Sequence, residues 1–149
     1  MNTSVSPASF GVLKAESCVH GENTLAVVRE QPFDVVAGHL EQNLFAANIS
    51  IVHVHDFTPW LHRRGFPLAH RSRVYEVVDP ALAVRLLALD PGLAHTLPSR
   101  IGMHDHGGVV TVSTPMPSVV MAGFSHAAPV ARLARTIEAE LQRVLWSLP

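Results

Sequence analysis

Residues Arg71–Pro115 read RSRVYEVVDPALAVRLLALDPGLAHTLPSRIGMHDHGGVVTVSTP, and the order of signals within this stretch decides the fold class. Val74, Tyr75, Val77 and Val78 are β-branched or aromatic, the residue types that suit a pleated, half-buried surface. Asp79-Pro80 ends that strand and opens a helix, with Asp79 as N-cap and Pro80 at the first helical position. Leu82, Leu86, Leu89 and Leu93 follow at helical spacing with Arg85 pointing away, and Pro98 forbids continuation. Arg100–His104 and Val109–Thr114 then flank Asp105-His106-Gly107-Gly108, whose glycines supply the positive φ of a tight hairpin turn. The three strands are expected in one sheet.

The same period counting extends outward. Leu25–Val28 is a short strand, and Pro32-Phe33-Asp34 opens a helix with Val36, Leu40, Leu44 and Ala47 on one face and Asn48 as its terminator. Ile49–Asp56 alternates as a strand, placing Ile49, Ile51, His53 and His55 on one face and Ser50, Val52, Val54 and Asp56 on the other. Thr58-Pro59 reads as N-cap and first position of a short helix that Gly65 closes. Pro115–Phe124 is a loop with one helical turn. In the last helix Val130, Leu133, Ile137, Leu141 and Val144 form the apolar stripe, while Arg132, Arg135, Glu138 and Gln142 face water. Residues 1–23 lack a sustained period and read as an extended or poorly ordered arm that includes a solvated His20. Residues 24–149 form a single α+β domain of two layers. Its mainly antiparallel or mixed sheet of about four to five strands carries the helices from Asp34 and Pro129 on one face.

The order of strand, Asp79-Pro80, leucine-rich helix, Asp90-Pro91, Leu97-Pro98 entering Arg100-Ile101 and a Gly-containing hairpin resembles the family known as domain of unknown function 302. Asp56 followed by Gly65, the Pro115–Met121 segment and the terminal helix extend the resemblance over about Leu25–Leu145. Two positions depart from it: Ser99 stands where many members have Cys, and Phe57 where many have His. The resemblance implies no agreed activity, and any thiol or imidazole chemistry tied to those two positions is absent here.

Composition narrows the functions. The chain has 149 residues, 48% hydrophobic and only 15% charged, with a formal net charge of −1. That suits one globular domain with surface left for self-association, and a homodimer is expected through the uncovered sheet face or its rim. No basic stripe exists to draw a phosphate backbone, so nucleic acid is excluded as a partner. Cys18 is the single cysteine and no segment reads as a signal peptide or membrane span, which points to a cytoplasmic protein. Ten histidines are the compositional outlier.

His53 and His55 share one strand face by period two, and so do His104 and His106. Two such pairs suit Zn²⁺, Cu²⁺ or Ni²⁺, or a single imidazole can ligate haem iron, with Asp56 as the carboxylate that orients an imidazole. The blander reading is a half-buried strand and a solvated hairpin, with Asp56 and Thr58 merely capping a helix. Tyr75 and Arg100, together with Glu76 and Arg73, are candidates to bind an anionic ligand on one sheet surface, or else form an ordinary solvated face. Trp60, Phe66 and Met121 suit an apolar ligand wall or core packing. Ser99 and Ser118 lack a nucleophile elbow, and no P-loop, dinucleotide fingerprint or carboxylate pair occurs. The expected function is therefore ligand binding without catalysis, at a His-lined metal or haem site. A cofactor-free interaction module is the alternative, and catalysis is left open.

Overall fold

The computed structural model describes residues 17–149. Of the N-terminal arm, residues 1–16 and the side chain of His20 lie outside the described residues. The end of the arm is a strand. β1 (Ser17–His20) pairs antiparallel with β2 (Thr24–Arg29), raising the sheet to six strands, one more than the pattern predicts. The remaining elements are α1 (Phe33–Ala46), β3 (Ser50–Asp56), α2 (Phe57–His62), β4 (Ser72–Val78), α3 (Pro80–Leu89), β5 (Ser99–His106), β6 (Val109–Pro115), α4 (Pro117–Ala122) and α5 (Ala128–Trp146). Strand order is β1-β2-β6-β5-β4-β3, and every neighbouring pair is antiparallel.

Local chemistry accounts for the anchor stretch. The Asp79 carboxylate accepts from the Ala81 and Leu82 amides at 2.9 and 3.3 Å, satisfying two of the amides a helix start leaves unpaired. α3 stops at Leu89, sooner than the leucine spacing suggests, because Asp90-Pro91 caps a separate 3₁₀ turn over Pro91–Thr96. Gly107 and Gly108 both have positive φ, 58° and 83°, so the β5–β6 turn is a two-residue one. Asn48 ends α1 in the left-handed region at φ 57°.

All the long helices serve one face. Tyr75, Val77, Ile101, Met103, Val110 and Val112 from the central strands join Val36, Leu40 and Leu44 of α1, Leu86 of α3 and the predicted α5 stripe in one core. Burying an aliphatic side chain in such a core stabilises by about 1.5–3 kcal/mol. Glu138 departs from the wet side assigned to it: its Oε1 accepts from the Ser118 amide and hydroxyl, at 3.1 and 2.6 Å, and ties α5 to the start of α4. Thr58 is not a helix N-cap. Its hydroxyl donates to the His70 carbonyl and accepts from the Ser72 amide, fastening α2 to the entry of β4.

Candidate functional site

β3 is an edge strand, and its register departs from simple alternation. Ile51 pairs with Val77 and His53 with Glu76, so Val52 is an extra residue that opposes nothing. Such a bulge changes which side chains share a face. Ile51, Val54 and Asp56 therefore lie on the helix-covered side with Val77, Tyr75 and Arg73, while His53 and His55 lie on the far side with Glu76 and Val74. Ile51 and His53 do not share a face as alternation alone predicts.

On that far side the imidazoles of His53 and His55 stand edge to face with centroids 4.5 Å apart. His55 Nε2 lies 3.2 Å from Glu76 Oε1, and Arg100 Nη2 lies 3.5 Å from the same oxygen. These neighbours hold the Glu76 carboxyl below its ordinary range, His55 contributing most. Phe57 stacks on His55 at 5.9 Å, Trp60 meets Phe57 edge-on at 6.3 Å, and the Arg64 guanidinium sits 4.0 Å over the Trp60 ring. His53, His55, Phe57, Trp60 and Arg63 line an open depression of ≈ 520 Å³ beside the strand edge, within the size range of small-molecule sites.

The other predicted residues fall elsewhere. His104 pairs with Ser72 of β4 and Thr111 of β6, and His106 sits beside the hairpin turn, so β4 separates this pair from His53 and His55. His53 is opposite Glu76 and His104 opposite Ser72, so the two lie two strand spacings, about 9–10 Å, across the sheet and four residues, about 13 Å, along it, beyond what two imidazoles span to one ion. The two pairs of one chain do not converge on a shared ion. Among the described residues, no group of three or more His, Cys, Asp or Glu is arranged to hold a metal. His104 instead neighbours His70 at 6.2 Å, and burial, then that imidazole, push its pKa down. Asp56 accepts from Arg73 at 3.1 Å on the covered side; the carboxylate that meets an imidazole is Glu76. Tyr75 and Arg100 do not line one surface. Tyr75 is fully buried on the covered side, donating to Glu41 Oε1 at 2.9 Å, while Arg100 projects from the far side. Of the apolar candidates, Met121 is core, whereas Trp60 and Phe66 are exposed.

The role of Glu76 was hidden in the sequence because it depends on cross-strand register, and that of Phe57 because it depends on how the chain turns from β3 into α2. Only the parity of Glu76 and Arg100 in their strands hinted that the two share a face.

The family model described as "Domain of unknown function DUF302" matches residues 25–148. The chain belongs to the DUF302 family. A solved structure described as an uncharacterized conserved protein DUF302 from Bacillus stearothermophilus shares its fold, with a TM-score of 0.79 at 18% identity, covering 84% of this chain and 97% of that one. No curated protein matches. Membership fixes architecture rather than chemistry, so the functional reading of this DUF302 protein rests on its own side chains. No helix among the described residues is long and apolar enough to cross a membrane.

Proposed function

We propose that this DUF302 protein binds a ligand without catalysis at the edge-strand histidines, the ligand being a divalent transition metal ion or haem. The observation that carries this reading is the 4.5 Å approach of the His53 and His55 rings beside Glu76, which is placed to fix one imidazole tautomer. Phe57 and Trp60 supply the apolar wall a planar ligand needs, and Arg63 supplies a cation for its acidic groups. Tyr75 and Arg100, His104 and His106, and Asp56 take no direct part.

Purified protein scanned for Soret absorbance and for metal content tests the reading. Bound metal or haem, or saturable uptake of either when added, supports it. A colourless, metal-free protein indifferent to both leaves the second reading, a homodimeric interaction module without cofactor. That alternative is favoured by β3 being a sheet edge with Val52 58% and Val54 38% exposed.

A further inference from the structure

We propose that the metal site is completed by a second copy of the chain, whose β3 pairs antiparallel with the first across a two-fold axis at Val54. The proposal rests on the ligand reading above and commits it to a divalent ion. Two imidazoles are half of a tetrahedral set, and β4 keeps His104 and His106 from supplying the other half. The free edge of β3 can supply it. β3 ends the sheet order, so its outward amides and carbonyls face no strand among the described residues, and the depression beside it is lined from both faces, by His53 and His55 on one and Val54 and Asp56 on the other.

Symmetry and the bulge select the register. Every neighbouring pair in this sheet is antiparallel, and a two-fold axis perpendicular to it adds a further antiparallel strand while keeping the two faces continuous. Residues that face each other then have the same parity. Centring on His53 sets His55 against Ile51, across the bulge, and centring on His55 sets His53 against Phe57, where the strand has ended. Centring on Val54 keeps the pairing regular: His53 of one copy opposes His55 of the other, and Val54 opposes itself. All four imidazoles then lie on one face. Directly opposed Cβ atoms are about 4.5–5.5 Å apart, which lets their rings converge on one ion. His55, donating through Nε2 to Glu76, presents Nδ1 to that ion. On the other face the pairing buries Val54, a 38% exposed valine, against its own copy.

Zn²⁺ added to the full-length protein provides the test, read by light scattering and calorimetric stoichiometry on the wild type, on Val54→Lys and on H53A/H55A, with circular dichroism to confirm that each is folded. Val54→Lys keeps both imidazoles but sets like charges together at the axis. Expected are a zinc-dependent dimer with one Zn²⁺ per two chains, a monomeric Val54→Lys whose zinc affinity falls at least about tenfold, and no binding by H53A/H55A. One Zn²⁺ per monomer, lost in H53A/H55A but unchanged in Val54→Lys, overturns the two-chain site and leaves the single-chain reading standing. Failure of the wild type to bind Zn²⁺ overturns this proposal, and if haem is refused as well the ligand reading falls with it.

Discussion

Arg100 and Ile101 are neighbours in the chain and strangers in the fold. Ile101 is fully buried with Tyr75, Val77 and Met103 under the helices, whereas Arg100 projects from the far face towards Glu76 and the His55 imidazole. The difference teaches that period two assigns stability and ligand chemistry to alternating residues of the same strands. Substitutions on the two faces should therefore have separable effects.

The largest expected effect is on the covered face. Ile101→Ala removes core contacts and should cost about 2–5 kcal/mol of stability, while Arg100→Ala should stay within about 0.5 kcal/mol. Urea unfolding midpoints at fixed slope check this, and comparable losses would break the comparison. Next is Tyr75→Phe, which strips the hydroxyl that joins Glu41 to Arg73; Glu41 is exposed and Arg73 keeps Asp56, so the cost should be about 0.5–1.5 kcal/mol. Tyr75 is the chain's single tyrosine, so ultraviolet titration reads it alone. Burial pushes its pKa up to about 12 from 10.0. The folded state thus favours the neutral phenol, and the stability this confers is present below pH 10 and lost as pH rises towards 12. A midpoint near 10 would place the ring in solvent.

On the far face, Glu76→Gln should leave stability nearly unchanged yet weaken metal affinity by about 10–100-fold, the usual cost of losing a carboxylate behind a ligating imidazole. Metal titration with a parallel unfolding curve separates the two. The smallest effect belongs to Glu140 of α5, whose pKa burial and then Asp79 push up to about 7. The fold holds that proton more tightly than the unfolded chain, so this contribution is full below about pH 4.5 and declines as pH rises to 7. Glu140→Gln should flatten that decline. Because solvent screens its open side, the gain at pH 8 should be only about 1 kcal/mol, or roughly 2–4 °C in melting temperature. A pH profile unchanged by the substitution would contradict the assignment.

The covered face was legible in the sequence because it is written in periods. Leucines of α3 and α5 recur at helical spacing, Asp79-Pro80 and Gly107-Gly108 mark boundaries, and the three anchor strands fall in one sheet as expected. The far face was legible only in part. Period two grouped His53 with His55, but one extra residue at Val52 reversed the parity of Ile51, and nothing local announces such a bulge. Which carboxylate meets an imidazole depends on strand register: Asp56 is adjacent in sequence and turns to Arg73, while Glu76 arrives from the next strand. Strand order likewise parts the histidine pairs, since β4 intervenes between the strands that carry them.

Isothermal titration with Zn²⁺ of the wild type, H53A/H55A and H104A/H106A tests most directly whether the edge-strand pair is the ligand site. Saturable binding by the wild type, retained in H104A/H106A and weakened at least about a hundredfold in a folded H53A/H55A, is the predicted result. Equal affinity in all three proteins, or loss only when His104 and His106 are replaced, would contradict it.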